Sequence, residues 1–339
     1  MKKFINKIPF FIAEISGNHD GKINNAKKLI DLAKKGGADA VKLQTYTPEM
    51  MTLKNNNFII KKGLWAKKNL FQLYKKAHTP LEWHKKLYKH AKKKKIKIFS
   101  TPFSLEAVDF LEKLGNKIYK VSSFEMNDLN LIKKIASTKK PMIVSTGLAD
   151  LKEIEKTVNI AKKFGCKDLT LLYCVSNYPS DNIDFNLNSI EILKKKFKCR
   201  VGLSDHSIGS IIPCLAVSKG AEVIEKHICL KNINSVDSKF SLKDNEIKEF
   251  STLLKSSYKI TKGNSFLRGK QELKNKIFRR SIYASENIKK GEKFTDKNIK
   301  TYRPNIGLSA SHYLTLLNKR SPINIKENKV LSKKLIDKL

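Results

Sequence analysis

Short apolar runs alternate with helix-like segments along the first 262 residues. Residues 25–35, for example, carry apolar side chains at helical spacing and end at Gly36-Gly37. Each helix-like segment is followed by another apolar run of strand length, so the pattern repeats as strand then helix. The strand-like runs are residues 9–15, 40–45, 96–100, 118–121, 142–144, 169–173, 201–203 and 223–224.

Eight strand–helix units over roughly 260 residues predict a TIM (β/α)8 barrel. A helix over residues 244–262 closes the barrel, which we assign to residues 1–262, and the polar, Lys-rich residues 263–280 read as a linker. We expect residues 281–339 to form a small β-rich domain, with strands over 281–284 and 323–325. Residues 46–79 are longer than an ordinary connection, which predicts a partly helical insertion over a site.

Two histidines end the last two strand-like runs. His206 follows residues 201–203 and His227 follows residues 223–224, with a helix predicted over 208–221 between them. Neighbouring parallel strands lie about 4.8 Å apart, so the two imidazoles could share one ion. The alternative is that each is a hydrogen-bonded structural residue. With oxygen donors nearby, two histidines leave open ligand positions, which favours Mn²⁺ or Mg²⁺ over a closed zinc site.

Lys42 and Lys120 lie within strand-like runs, where a charge is costly to bury without compensation. They could bind an anion with phosphate and carboxylate groups, or one could form a Schiff base. The structural alternative is pairing with Glu14, Glu125 or Glu225. An anion site, a metal and a carboxylate together indicate carbonyl addition by a phosphorylated enol.

Composition changes this picture little. The net charge is +38, but only six residues are Arg and the lysines are spread over nearly every predicted helix, which argues against a nucleic-acid partner. The five cysteines are odd in number and lack C-x-x-C spacing, so we expect reduced thiols. Without an apolar run near the roughly 18 residues that span a bilayer, or a cleavage-site pattern after Met1, we expect no membrane association and a cytoplasmic location.

Seven motifs, taken in order, resemble the signature set of the N-acetylneuraminate (sialic acid) synthase family. They are FIAEISGNH (11–19), VKLQT (41–45), STPF (100–103), YKVSSFE (119–125), STG (145–147), GLSDH (202–206) and EKH (225–227). The tail is similar to that family's SAF, or antifreeze-like, domain, including residues 302–304. AHTPLEWH (77–84) and CVSNYP (174–179) resemble the pseudaminic acid synthase branch.

The resemblance implies condensation of phosphoenolpyruvate (PEP) with 2,4-diacetamido-2,4,6-trideoxy-L-altrose, giving a nonulosonic acid and phosphate by C–O cleavage. A sialic or legionaminic acid synthase using another amino sugar is the nearest alternative, and a basic nucleic-acid-binding barrel without catalysis is an alternative of another class. The implied form is a domain-swapped homodimer in which Arg303 reaches the substrate of the other subunit.

The resemblance also assigns roles to individual residues. The implied catalytic residues are Glu14, His206 and His227, and the two histidines are the implied ligands of Mn²⁺ or Mg²⁺. The implied PEP-binding residues are Lys42, Thr101, Lys120, Ser123, Ser145, Ser176, Tyr178 and Ser204. The implied sugar-binding residues are Asn18, Gln44, Glu125, Asp237 and Arg303.

Overall fold

The computed structural model describes residues 4–54, 57–263, 266–332 and 334. The chain divides into two compact units, Met1–Lys262 and Gly263–Leu339. Each unit has its own apolar core. Within the described residues, no helix has both the length and the apolar character needed to cross a membrane.

The first unit is a closed barrel of eight parallel strands, which confirms the predicted TIM-barrel fold. Each strand pairs with the next, and β1 also pairs with β8, so the sheet has no open edge. The strands are β1 (Phe10–Glu14), β2 (Ala40–Thr45), β3 (Lys97–Pro102), β4 (Tyr119–Val121), β5 (Met142–Ser145), β6 (Leu169–Cys174), β7 (Arg200–Asp205) and β8 (Val223–Cys229). A short β9 (Leu242–Lys243) pairs with the end of β8.

Helices surround the strands and bury their apolar faces against them, except α2 and α3, whose residues line the cavity described below. They are α1 (Ile23–Lys35), α2 (Pro48–Met51), α3 (Leu70–Ala77), α4 (Leu81–Lys93), α5 (Leu105–Leu114), α6 (Leu129–Ser137), α7 (Leu151–Lys163), α8 (Asn188–Phe197), α9 (Ile211–Ser218) and α10 (Asp244–Thr261). Side chains alternate along each strand, so Phe11 and Ala13 pack in the large core under the helices while Phe10 and Ile12 point into the barrel.

An apolar layer inside the barrel forms the floor of the site. It consists of Phe10, Ile12, Ala40, Phe99, Ile118, Ile143, Leu172 and Val223, joined by Ile5 from the N-terminal segment. Two residues farther along, the same strands carry Glu14, Lys42, Thr101, Lys120, Ser145, Cys174 and Glu225. Because the strand period is two, one continuous sheet produces a sealed apolar layer with a polar layer above it.

β7 and β8 extend beyond the runs predicted from apolarity alone. β7 continues to Asp205 and β8 to Cys229, so His227 lies within a strand instead of after one. The polar residues stay in the ladder because they pair across it: Ser204 with Glu225, Asp205 with Lys226 and Glu14 with His227. The connecting helix α9 is correspondingly shorter than the predicted 208–221.

The second unit is small and centred on one antiparallel pair of strands. β10 (Ser281–Ala284) pairs with β11 (Ile299–Tyr302) over a core that includes Ile282, Phe294 and Leu316. The strand predicted over 323–325 is absent there: Ile325 makes only an isolated bridge to Ile288. The predicted linker contains a short helix, α11 (Lys270–Lys274), and α12 (Tyr313–Leu316) completes the unit.

Candidate active site

A cavity of about 330 Å³ opens at the C-terminal ends of the barrel strands. It lies directly above the apolar floor, where the polar strand ends converge, as active sites do in this fold. The predicted site residues that line it are Lys42, Gln44, Lys120, Ser123, Glu125, Ser145, Tyr178, Ser204, His206, His227 and Asp237. One cavity therefore collects predicted site residues from the C-terminal ends of six different strands.

Four buried charges form the base of the cavity. Lys42 Nζ lies 2.6 Å from Glu14 Oε2 and 3.6 Å from Glu225 Oε1. Lys120 Nζ lies 3.9 Å from the same Glu225 oxygen. We call these four residues the charge cluster. Two cations and two carboxylates balance, which is what permits burial of all four side chains at exposures of 6% or less. Two of the three pairings proposed from the sequence, those with Glu14 and Glu225, are present.

The two carboxylates of the cluster titrate differently. Burial raises the pKa of Glu14 to about 7, against the opposing field of Lys42. Burial acts on Glu225 in the same direction, but Lys120 and Lys42 together hold the pKa of Glu225 below its ordinary value. Glu225 is therefore the permanent counterion, while Glu14 can exchange a proton near neutral pH. Burial also raises the pKa of Glu125, on the cavity wall, to about 7.

Hydroxyl groups surround the two lysines. Lys42 Nζ donates to Thr101 Oγ1 at 3.1 Å, and Lys120 Nζ donates to Ser145 Oγ at 2.7 Å. Ser204 Oγ donates to Glu225 Oε1 at 3.2 Å. Two ammonium groups ringed by hydroxyls form a cationic, donor-rich surface suited to a small multivalent anion.

Gly147 lies against two further hydroxyls of this surface. Its N–H donates to Ser123 Oγ at 3.1 Å. A Cβ at this position would lie 2.1 Å from Ser176 Oγ and 2.7 Å from Ser123 Oγ. The absence of a side chain at Gly147 is thus what lets both serines approach the anion surface.

His206 and His227 face the cavity beside the charge cluster, with ring centroids 5.4 Å apart. His206 Nδ1 contacts the Val175 carbonyl oxygen at 3.0 Å, which places a proton on Nδ1 and leaves Nε2 for another partner. His227 Nδ1 is buried without a hydrogen-bond partner among the described residues, 3.8 Å from Asp237 Oδ2. Burial and the neighbouring His206 lower the pKa of His227 well below its ordinary value, so its imidazole is neutral.

The two imidazoles together fit a divalent ion. A buried nitrogen without a partner is costly unless something binds it, and nitrogen and oxygen donors suit Mn²⁺ or Mg²⁺. No group of three or more His, Cys, Asp or Glu side chains arranged to hold a metal occurs in the described part of the chain. His206 and His227 are the candidate protein ligands, and water or substrate oxygens would fill the remaining positions.

Several predicted site residues do not line the cavity within the described residues. Glu14 and Thr101 lie beneath it as partners of Lys42, and Ser176 lies behind Gly147. Asn18 does not line the cavity either: its Nδ2 donates to Ile228 O and Ser241 Oγ, and its Oδ1 accepts from Ser235 Oγ. Its amide is thus engaged by the protein, and it holds the 235–241 loop that carries Asp237. Arg303 belongs to the second unit.

One side of the cavity is an apolar wall that the residue-by-residue assignments missed. It consists of Tyr46, Met51, Ile60, Trp65, Leu70, Leu73, Tyr74, Phe103 and Phe240. Most come from the predicted insertion, whose length and apolar content were the available signal. No sequence signal pointed to Phe240, because it lies in a short turn far from any motif. Its ring nevertheless packs 4.9 Å from that of His227.

Trp65 ties the insertion to the loop that follows β8. Its Nε1 donates to the Val236 carbonyl oxygen at 3.1 Å, and its ring lies 5.2 Å from Tyr178. Tyr178 in turn packs 4.4 Å from His206. The apolar wall and the histidine pair are therefore in direct contact through one aromatic chain.

Comparison with known proteins identifies relatives that span nearly the whole chain. The chain is 46% identical over 324 residues to the pseudaminic acid synthase of Campylobacter jejuni, covering 95% of this chain and 94% of that protein. It is 43% identical to the pseudaminic acid synthase of Helicobacter pylori, covering 96% of each. The N,N'-diacetyllegionaminic acid synthase of Campylobacter jejuni is 41% identical over 96% of this chain and 99% of its own length.

A solved structure and two family models agree with these relatives. The N-acetylneuraminic acid synthetase of Leptospira borgpetersenii superposes with a TM-score of 0.72 at 33% identity, covering 80% of this chain and 90% of that chain. The SAF domain model matches residues 279–337. The NeuB family model matches residues 29–265, and the chain belongs to the NeuB family.

Proposed function

We propose that this protein is a pseudaminic acid synthase. In that reaction PEP condenses with 2,4-diacetamido-2,4,6-trideoxy-L-altrose to give pseudaminic acid and phosphate. The observation that carries the proposal is the placement of Lys42 and Lys120 beside His206 and His227 in one cavity. The relatives from Campylobacter jejuni and Helicobacter pylori support the same assignment.

PEP would occupy the base of the cavity. Lys42 and Lys120 supply the positive charge, and Thr101, Ser123 and Ser145 supply or orient hydroxyl groups. Glu225 favours the charged form of both lysines, because its carboxylate lies within 4 Å of each ammonium and opposes the burial that lowers the pKa of Lys120. Ser176, Tyr178 and Ser204 complete the proposed PEP contacts.

The chemistry needs one C–C bond formed and one C–O bond broken. Carbon 3 of PEP attacks the sugar aldehyde, whose oxygen becomes a hydroxyl; water adds at carbon 2, and phosphate leaves from that carbon. His206 and His227 would hold Mn²⁺ or Mg²⁺, which when bound supplies Lewis acidity toward the aldehyde oxygen. Glu14 would accept the proton of the attacking water, since a pKa of about 7 suits a general base at neutral pH.

The apolar wall favours this sugar over more hydroxylated ones. A 6-deoxy sugar with two acetamido groups presents three methyl groups, and burying each contributes about 0.8 kcal/mol. Trp65, Tyr74 and Phe103 offer apolar surface for them, while Gln44, Glu125 and Asp237 offer polar partners. A hydroxyl group placed against the same wall would lose hydrogen bonds to water.

The direct test is phosphate release with PEP, Mn²⁺ and a panel of sugars. We expect release that depends on both substrates, with the largest kcat/KM for the altrose-configured diacetamido sugar. A larger value with N-acetylmannosamine or the legionaminic acid precursor would instead assign one of those activities. Release with no sugar, or trapping of a lysine by borohydride, would contradict the proposal. So would a DNA complex that persists at physiological salt without catalysis.

Glu14→Gln should lower kcat by roughly 10²- to 10⁴-fold, the range for loss of a general base. In the wild type, kcat/KM should fall as the pH drops below about 7, because Glu14 becomes protonated there. Glu125→Gln is the matched control, since Glu125 has a similarly raised pKa. Glu125→Gln should alter the KM for sugar but keep the fall of kcat/KM at low pH, which we call the acidic limb. Both pH profiles are measured at saturating Mn²⁺. Loss of the limb in Glu125→Gln alone would transfer the role to Glu125.

Gly147→Ala should raise the KM for PEP about tenfold, because its Cβ would displace the hydroxyls of Ser176 and Ser123. The KM for sugar should change little. Gly269→Ala is the control, since a Cβ there meets nothing within 4 Å. An unchanged KM for PEP in Gly147→Ala would remove these two serines from the PEP site.

We further propose a domain-swapped homodimer in which Arg303 reaches the sugar bound by the partner subunit. Co-expressed Glu14→Gln and Arg303→Ala chains, purified as a hybrid through two tags, test this. A swapped hybrid keeps one intact site, so activity should recover to roughly half that of the wild type. If each chain used its own Arg303, every site in the hybrid would carry one defect and activity would stay at the level of the variants.

A further inference from the structure

A second buried ion pair lies directly behind the two histidines. Asp205 and Lys226 are register partners on β7 and β8, and each precedes one of the histidines in sequence. Lys226 Nζ donates to Asp205 Oδ2, and both side chains are at most 1% exposed. The pair is outside the charge cluster and has no role in the chemistry above.

Strand alternation places this pair on the opposite side of the sheet from the site. Ser204, His206, Glu225 and His227 line the active-site cavity, whereas Lys226 lines a separate surface pocket beside α10. Asp205 and Lys226 therefore touch neither the proposed substrates nor the proposed metal. Any effect on the reaction must act through the backbone of the two strands.

Lys226 also bonds the loop that carries His206. Its Nζ donates to the carbonyl oxygen of Ser207 as well as to Asp205. Asp205 Oδ1 accepts from both Ser207 N, at 3.0 Å, and Ser207 Oγ, at 2.7 Å. Ser207, which follows His206, is thus held by three hydrogen bonds: two to Asp205 and one to Lys226.

Other hydrogen bonds of His206 come from the segment after β6. Ser180 N donates to the His206 carbonyl oxygen at 3.0 Å, and the Val175 carbonyl oxygen contacts His206 Nδ1 at 3.0 Å. These bonds orient the ring with respect to the segment after β6. Ser207 and Lys226 connect the His206 loop to β8, and hence to His227, by a hydrogen bond, while the Phe240 ring packs against both imidazoles.

We propose that Asp205 and Lys226 are positioning residues that set the spacing of His206 and His227 for metal binding. This inference rests on the proposed function for its metal. A buried ion pair typically adds little to the stability of the fold, because a well-packed apolar pair in the same place is often equally stable. Its directional bonds to Ser207 instead specify one loop geometry, and groups that orient metal ligands typically change metal affinity by 10- to 100-fold.

The test is Mn²⁺ binding to the metal-free protein, measured by calorimetry and by the electron paramagnetic resonance of free Mn²⁺. Lys226→Met should weaken Mn²⁺ binding at least about tenfold. PEP binding without metal, followed by the fluorescence of Trp65 in the cavity, should change less than about twofold, because the charge cluster is untouched. A general loss of stability would weaken the binding of both Mn²⁺ and PEP. A loss of Mn²⁺ affinity alone therefore indicates an effect on the metal site.

Asp168→Asn is the matched control. It breaks the ion pair of Arg200 and Asp168, 3.1 Å apart, at the opposite end of β7. This variant should leave Mn²⁺ affinity at the wild-type value even if its melting temperature falls. A similar loss of Mn²⁺ affinity in Asp168→Asn would overturn the proposal.

The double variant Asp205→Asn with Lys226→Met covers the case in which an unpaired buried Asp205 prevents folding. It removes both charges and the bond to the Ser207 carbonyl, so it should show the same weakened Mn²⁺ binding. Wild-type Mn²⁺ affinity in the folded double variant would make the pair purely structural. The titration is independent of turnover, so it decides the inference even if no sugar is condensed, and a wild type that binds no Mn²⁺ would overturn it.

Discussion

Mutual compensation of the four charges in the charge cluster is the interaction on which the rest of the site depends. Burying a single ion costs roughly several kcal/mol, so Lys42 and Lys120 could not remain charged at the base of a barrel without Glu14 and Glu225. Closure of the sheet makes this possible, because it brings β1, β2, β4 and β8 around one axis. The same closure supplies the apolar floor that keeps water out from below.

The asymmetry within the cluster links electrostatics to reactivity. Both carboxylates are buried, but Glu225 is held by two lysines and stays ionised, whereas Glu14 has one close cation. An anion entering above Lys42 and Lys120 would compete with both carboxylates for the same ammonium groups. An anion bound there would therefore replace internal counterions of the two lysines.

The barrel fold, and the end of the barrel that carries the site, could be predicted from the order of the apolar runs and from the polar residues at their C-terminal ends. Eight apolar runs established the fold, and Lys42, Lys120, His206 and His227 were identifiable as polar residues interrupting such runs. The ends of β7 and β8 were missed because Asp205 and Lys226 look like loop residues until their cross-strand partner is known. The hydrogen bonds of Asn18 could not be predicted for a similar reason, since its partners Ile228, Ser235 and Ser241 lie more than 200 residues away in sequence.

The difference in depth between the cavity's two surfaces has a kinetic consequence. Lys42 and Lys120 are almost fully buried, while Met51, Trp65 and Tyr74 on the apolar wall are partly exposed. A sugar bound against the wall, as proposed above, would stand between the lysines and solvent. Such a sugar would close the access to the base, so in the proposed reaction we expect the anion to bind before the sugar.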